Sequence, residues 1–406
     1  MGLSEPGEYD ILILDAALKQ SLASARSLGR AGLRVALAEC VPLPQATLPA
    51  FRSRYCSRAL VLPNLEKDAP AFIAALTRFV TEHSPRVILP SGDATISVLR
   101  AYREQLAGLG CVLALAPESA LEIANDKYRT LALAQSLGIS RPRSIRIHSV
   151  NELSAAVAEF GFPFVVKPTV SWTKGTVGRN IPVDVVNQEE AREATERLLT
   201  VGCGVLAQEW VRGRREGVTL FVVADEPVAS CGHVAHRTTP PLGGASVVRE
   251  SVPVPPEILD ASLRLVKAAG IQGICEVEFR RDEQNRPLLM EMNARLAGTI
   301  ENAVQSGVDF PLMIWRWATG LAVEPVTTYR YGVRTRWLHG DLRWLTANWG
   351  RVGRPDSVSH SSGIWDILSE FTRSHHYDYF DWHDLRPFMA ELRCSIDATR
   401  KLIARV

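Results

Sequence analysis

Gly273 to Thr299 reads GICEVEFRRDEQNRPLLMEMNARLAGT, and how this stretch folds decides how the rest of the chain is read. Two strand-like runs, Cys275 to Phe279 and Pro287 to Met292, flank the polar turn Asp282-Glu283-Gln284-Asn285, so the stretch reads as a β-hairpin. Glu278 interrupts the first run and Glu291 the second, each among residues otherwise suited to a core. A carboxylate is almost never buried without a partner. Asn293 lies two positions beyond Glu291 and therefore on the same strand face, which makes a cluster of oxygen donors. Such a set suits Mg²⁺, which takes one or two carboxylates and fills its remaining positions with water and phosphate oxygens. The plainer reading is an amphipathic hairpin whose Glu side chains face water.

Upstream, the apolar run Pro163 to Val166 delivers Lys167, is stopped by Pro168, and opens into the polar loop Ser171 to Gly178. A fixed cation at the end of a buried strand, beside a loop with two glycines, is what a phosphate cradle needs, although no Walker A sequence is present. Around it the pattern predicts helices at Lys127 to Leu137, Val150 to Phe160 and Gln188 to Leu199, and a strand at Ile181 to Val185. Gln208-Glu209-Trp210-Val211 follows the strand Val205 to Ala207 and precedes a charged turn, Arg212 to Gly217. Strands are expected at Val218 to Ala224 and Val228 to His233, then a turn-rich loop from His236 to Ala245, and a helix from Pro256 to Ala269.

The N-terminal third alternates differently. Apolar runs Ile11 to Leu14, Arg34 to Ala38, Ala59 to Leu62, Arg86 to Leu89 and Cys111 to Leu115 are separated by helical patterns through Leu22 to Leu28, Ala69 to Glu82 and Ala94 to Leu106. This is the signature of a doubly wound α/β domain with a parallel sheet, whose ligands gather beyond the carboxyl ends of the strands. Asp15 and the turn Ser91-Gly92-Asp93 lie at such ends, yet no Gly-x-Gly-x-x-Gly follows the first strand, which excludes a dinucleotide fingerprint. Asp93 also reads simply as an acid in the first turn of a helix. Pro117 to Asn125 reads as a junction.

Beyond the hairpin, helices are expected from Thr299 to about Val304 and from Phe310 to Thr319, closing at Gly320. The chain then turns aromatic, with Trp337, Trp344, Trp349, Trp365 and the run Phe371 to Pro387, so an appended segment packed on the body or on a second subunit is expected. His375, His376, Asp378 and His383 lack the helical spacing of a transition-metal site. The 406 residues exceed the size of a single core, so two or three domains are expected. With 46 basic and 44 acidic residues the net charge is +2, which gives no support to binding nucleic acid or membrane through bulk charge. Seven dispersed cysteines, no Cys-x-x-Cys pair and no long apolar run predict a cytoplasmic protein with free thiols.

Taken in order, Lys127, the strand ending in Lys167, Gln208 to Val211 with Glu216, Glu278, and Glu291-Met292-Asn293-Ala294-Arg295 resemble the ATP-grasp superfamily over about Ile11 to Gly320. The overall pattern is most similar to members described as predicted carboxylate-amine ligases, relatives of biotin carboxylase, D-alanyl-D-alanine ligase and the carbamoyl phosphate synthetase large chain. The resemblance implies an α/β fold of the α+β ATP-grasp kind. It divides the chain into a doubly wound domain (1–118), a two-lobed ATP-grasp domain (119–322, with a lid at about 126–200) and a C-terminal extension (323–406). It further implies that Lys127 and Lys167 grip ATP phosphates and that Gln208, Glu209, Trp210 and Val211 form the linker whose backbone and first side chain read the adenine edge, with Gln208 standing where several relatives have Glu. By the same resemblance Glu216 binds the ribose, Glu278, Glu291 and Asn293 hold one or two Mg²⁺ ions replaceable by Mn²⁺, and Arg295 serves the acyl phosphate or the acceptor end. Arg249 is assigned beside it from its place near the 236–245 loop, where a surface arginine is the alternative. The expected activity is ADP-forming ligation of a small polar carboxylate to an amine through an acylphosphate, by a monomer or homodimer. The alternative is a nucleotide-binding regulator that keeps the site without turnover.

Overall fold

In the computed structural model, which describes residues 7–40, 48–174, 178–241, 243–349, 351, 354–355, 357–373 and 375–403, the first third of the chain alternates strand and helix as its apolar runs dictate. The order is β1 (Ile11–Ile13), α1 (Lys19–Arg30), β2 (Val35–Glu39), β3 (Cys56–Val61), α2 (Ala69–His83), β4 (Val87–Leu89), α3 (Asp93–Leu99), α4 (Arg103–Gly108) and β5 (Val112–Leu113). All five strands are parallel, in the order β3-β2-β1-β4-β5, so the winding reverses between β1 and β4. The crevice outside that reversal is where such sheets bind ligands. Asp15 lies there in a left-handed conformation, φ 58°, and its carboxylate accepts the N–H groups of Ser91 (2.8 Å) and Gly92 (2.7 Å). A side chain at Gly92 would put its Cβ 2.8 Å from Asp15 Oδ1, so the turn after β4 closes on Asp15 only with glycine.

Two local expectations differ here. The helix expected over 94–106 is divided between α3 and α4 by a turn of 3-10 helix at Arg100–Tyr102. The expected junction 117–125 holds α5 (Glu118–Ala124), too short for a periodic signal, with Ala120, Leu121 and Ala124 buried.

Next come α6 (Lys127–Ser136), β6 (Ser144–Ile147), α7 (Leu153–Phe160), β7 (Phe164–Pro168), β8 (Val183–Val185), α8 (Gln188–Thr200) and β9 (Val205–Glu209). Strands β6-β9-β7-β8 form an antiparallel sheet with its own small core, in which Phe164, Val166 and Val205 meet Leu153, Ala156, Ala194 and Leu198 of the two covering helices. Residues Gly175, Thr176 and Val177 of the expected phosphate loop lie outside the described residues.

The remaining elements are β10 (Arg215–Val223), β11 (Glu226–Thr239), β12 (Ala245–Val252), α9 (Pro256–Ala268), β13 (Gly273–Arg281), β14 (Pro287–Asn293), α10 (Ile300–Ser306), α11 (Phe310–Ala318), β15 (Arg334–Arg336), α12 (Leu338–Trp349), α13 (His360–Ser369), β16 (His376–Tyr377) and α14 (Arg386–Ile403). They build a seven-stranded sheet in the order β14-β13-β10-β11-β12-β15-β16. One face, with Val218, Leu220, Val277 and Phe279, is buried together with Ile258 and Leu265 of α9. On the other face Phe221, Cys231 and Ile274 share a core with α10, α11 and the first sheet, and this face turns polar toward its far end.

Two expectations are corrected in this sheet. The charged turn 212–217 ends early, because β10 begins at Arg215, and the loop expected from His236 is strand as far as Thr239. Both segments are polar, but Arg215 and Glu216 pair with β11 and β13, and Arg237 to Thr239 pair with β12, so ladder hydrogen bonds rather than apolar alternation hold them as strand. The aromatic C-terminal segment, expected to pack on the body or on a second subunit, contributes β15 and β16 to the edge of the sheet. Its strand Arg334-Thr335-Arg336 carries no apolar pattern, yet Arg336 is fully buried over the Phe371 ring and bonded to Asp341 at 2.6 Å.

Candidate active site

The hairpin forms because Asp282 closes its turn. Asp282 Oδ1 accepts the N–H groups of Gln284 (3.0 Å) and Arg286 (2.8 Å), and Asn285 takes the left-handed conformation, φ 61°, that Asn tolerates. Pairing places Glu278 directly opposite Glu291 and Glu276 opposite Asn293. Between Glu278 and Phe279 the register shifts, and Phe279 pairs with Leu289, so Met290 is the extra residue of a bulge. The bulge reverses the alternation of β14. Leu289 and Met292 both stay in the core, while Glu291 and Asn293 join Glu276 and Glu278 on the polar face.

Cations from several elements converge on this face. Lys127, at the start of α6, lies 3.4 Å from Glu291 and donates to Ser171 Oγ at 3.3 Å. The position of Lys127 is fixed by its own N–H, which donates to the Thr169 carbonyl (2.8 Å), and by Asp126, which caps the helix. Arg215 of β10 pairs with Glu278 at 2.5 Å. Arg295 donates to Asp93 at 2.5 Å and to Asn293 Oδ1 at 3.2 Å, and Arg179 reaches the other oxygen of Asp93 at 3.3 Å. Burial works against ionising Glu291, but Lys127, Arg179, Arg215 and Lys167 hold it well below the usual carboxylate range. Burial raises Glu278, against the pull of Arg215. Lys167, at the end of β7, is bonded to the Gln208 Oε1 of β9, and burial lowers it to about 7.

Of the residues expected from the sequence, Lys127, Glu278, Glu291, Asn293 and Arg295 stand together, with Lys167 within electrostatic reach of Glu291 and Glu278. Gln208 is buried between Lys167 and Ser144 Oγ (3.0 Å). Trp210 and Val211 follow β9, and the Trp210 Nε1 is buried without a hydrogen-bond partner. The side chains of three residues point elsewhere. Glu209 turns outward to Arg143 (2.7 Å), and Glu216 points to the opposite face of the sheet, where Arg281 and Arg214 bind it. Arg249 is fully buried against Asp378, which both of its Nη atoms engage.

Sequence reading missed Arg215, hidden in the supposed turn, and Arg179, which follows the loop. Asp93 had a signal, a Ser-Gly-Asp turn at the winding reversal, but its bond to Arg295 is visible only in three dimensions. No preformed group of three or more His, Cys, Asp or Glu occurs among the described residues, so the tail histidines gather no metal set either. The oxygen donors Glu278, Glu291 and Asn293 nonetheless fit Mg²⁺, because Arg215 and Lys127 already sit where positive charge is needed and can yield to a harder cation.

Comparison with known proteins bears on the fold that carries these residues. The family described as "ATP-grasp in the biosynthetic pathway with Ter operon" matches residues 239–340. Over 210 residues the chain is 29% identical to a D-alanine–D-alanine ligase of Pseudomonas entomophila, covering 47% of this chain and 63% of that protein. It is 26% identical over 293 residues to the carbamoyl phosphate synthase large chain of Gemmatimonas aurantiaca, covering 67% of this chain and 25% of that one. The chain thus spans less than two thirds of the length of either relative. Among solved structures, an L-amino acid ligase from Bacillus licheniformis superposes with a TM-score of 0.58 at 18% identity, over 79% of this chain and 75% of that one. The biotin carboxylase of Campylobacter jejuni, in its β-γ-ATP complex, superposes with a TM-score of 0.62 at 15% identity, over 80% and 74%. These likenesses establish the fold.

Proposed function

We propose that the chain, which has the ATP-grasp fold, is an ADP-forming ligase that joins a small polar carboxylate to an amine. The observation that carries the reading is the hairpin register: two carboxylates face each other across one face, Asn293 stands beside them, and lysines from the neighbouring unit close over the same point. Glu278, Glu291 and Asn293 would hold Mg²⁺, which when bound offsets the charge of the triphosphate and of the transferring phosphoryl group. Lys127 and Lys167 hold phosphate oxygens, and Gln208, Trp210 and Val211 border the base. Arg295, oriented by Asp93, faces the acyl oxygen. In the reaction a carboxylate oxygen attacks the γ-phosphorus, ADP leaves, and an amine then displaces phosphate from the acyl carbon with loss of a proton. The four-stranded sheet serves as the lid that keeps water from the acylphosphate.

Glu209, Glu216 and Arg249 take no part in this reading, since each is engaged elsewhere. We place the protein in the cytoplasm, in keeping with the absence of a disulfide among the described residues and of any described helix long and apolar enough to cross a membrane. The test is ADP release with ATP and Mg²⁺ or Mn²⁺ against amino acids, dipeptides and sugar acids, singly and in pairs. Release that requires a carboxylate and rises with an amine supports the ligase. ATP binding without release in any combination would instead favour a regulator that only binds nucleotide.

A further inference from the structure

Glu276 has no role in the site as described, and its surroundings are unusual for a buried acid. It is 3% exposed, lies on the polar face one strand step before Glu278, and stands opposite Asn293. Its Oε1 accepts the Thr299 hydroxyl at 2.6 Å and lies 3.6 Å from His233 Nε2. Among the described residues no lysine or arginine nitrogen comes within 4.0 Å of it. Burial lowers His233 to about 4, so the imidazole is neutral at physiological pH and gives Glu276 no charge partner.

The cations around Glu276 are all committed to other groups. Arg215 is held by Glu278 (2.5 Å) and the Gly244 carbonyl (2.6 Å), Arg295 by Asp93, and Lys19 by the Ser246 carbonyl (2.6 Å) and Asp378 (3.3 Å). His233 is seated in a space that exists because residue 217 is glycine: a Cβ there would come within 2.9 Å of the ring. A buried carboxylate is ordinarily paired or bound to a metal. Glu276 has no such direct partner within 4.0 Å, Lys19, Arg215 and Arg295 acting on it only at longer range, and it lies a strand step of two residues, about 7 Å, from the carboxylate that would hold Mg²⁺.

We propose that Glu276, steadied by Thr299, binds an ammonium group on the carboxylate that becomes phosphorylated, so the activated substrate is an amino acid or a short peptide. This rests on the ligase reading and names its substrate class. The ammonium supplies the missing charge partner, and the short reach from Glu276 to the metal ligands excludes long apolar acids as the preferred substrate.

The test uses the full chain with ATP, Mg²⁺ and hydroxylamine, whose nitrogen attacks the acyl carbon and releases phosphate, so each carboxylate is examined without a natural acceptor. Free amino acids and dipeptides are compared with the same compounds N-acetylated or with hydroxyl in place of the amine. Free amines should exceed their blocked counterparts at least tenfold in kcat/KM for hydroxamate. Glu276→Gln, which keeps a partner for Thr299, should erase that preference mainly through KM while binding a nonhydrolysable ATP analogue as tightly as the parent. Thr299→Val, which leaves the charge in place, should lower the preference only a few-fold. Equal use of blocked and free acids by the parent, or an undiminished preference in folded Glu276→Gln, overturns the proposal and leaves the ligase standing. ATP binding with no hydroxamate from any acid overturns both.

Discussion

At the hairpin, Glu291 meets Lys127 and Asp93 meets Arg295 with every partner between 11% and 21% exposed. At the C-terminal strap, Arg249 holds Asp378 and Arg26 holds Asp384 with no partner more than 1% exposed. Both sets are carboxylate–cation pairs, but on the proposed reading the first joins groups that exchange partners when phosphate and metal bind. The second is closed on all sides: Arg26 also donates to the carbonyls of Asp378 and Tyr379, and Asp384 accepts from Ser53 (2.6 Å) and the Arg54 N–H (2.9 Å). An arginine near an active face therefore earns a catalytic reading only if its charge is available. Arg249 is engaged by the strap that ties the seven-stranded sheet to α1.

Cutting each cluster at one carboxylate separates the two roles. Asp378→Asn should cost about 3–5 kcal/mol of stability, because it leaves Arg249 and Lys19 buried beside a neutral group. Denaturant unfolding reads this loss, and ADP release per folded molecule should stay close to the parent value. Glu291→Gln should do the reverse. ADP formation falls at least 100-fold, equivalent to roughly 3 kcal/mol of transition-state stabilisation, with little change in unfolding midpoint. Near-normal turnover of Glu291→Gln at saturating Mg²⁺ would remove the metal assignment and with it the distinction between the clusters.

How much of this was legible depended on whether the signal was local. The N-terminal winding and the hairpin follow from apolar periodicity, so Ile11–Ile13, Val35–Glu39 and both hairpin strands fall where the runs place them. The bulge at Met290 left no mark in the sequence, because Met fits either side of the strand, yet it brings Glu291 and Asn293 onto the face of Glu278. Arg215, Glu216 and Arg249 turned on strand phase. In β10 Glu216 shares the face of Val218 and Leu220, but Phe221 and Val223 make the other face apolar as well, so the sequence does not reveal which side the site takes. Asp378 sits in an aromatic run 129 residues from Arg249, and no pattern along the chain couples them.

Each cluster also contains one lysine that burial lowers to about 7: Lys167 near the hairpin and Lys19 at the strap. The unfolded value is 10.5, so between pH 7 and 10.5 the unfolded chain carries protons that the folded chain has shed. Stability should therefore rise with pH across that window, by at most about 1.4 kcal/mol per pH unit for each lysine. Nucleotide should act on only one of them. Phosphate beside Lys167 favours its charged form, so binding an ATP analogue at pH 8 should take up close to one proton, measured by calorimetry in buffers of different ionisation enthalpy. Lys167→Met should abolish the uptake and Lys19→Met should not; equal uptake in both variants would show that the two lysines are not distinguished by the ligand.

The smallest effect is expected where the exchangeable and the fixed parts of the molecule touch. Asp184, on β8 of the four-stranded sheet, accepts two bonds from Arg351 (2.6 and 2.8 Å), and Arg354 reaches the Asp184 carbonyl (3.0 Å) and Glu190 (2.9 Å). On its other side Glu66 accepts the Gly178 N–H with both oxygens at 3.0 Å. These partly exposed contacts are worth about 0.5–1 kcal/mol each, enough to bias the position of a lid without fixing it. Arg351→Ala should then speed hydrogen exchange of residues 144–209 a few-fold in the absence of nucleotide, and a nonhydrolysable ATP analogue should slow it again in parent and variant alike. The strap residues around Asp378 should exchange at the same rate throughout, since nothing in their cluster changes hands. If nucleotide left exchange of residues 144–209 unaltered in the parent, the four-stranded sheet would be as fixed as the strap and would not serve as a lid.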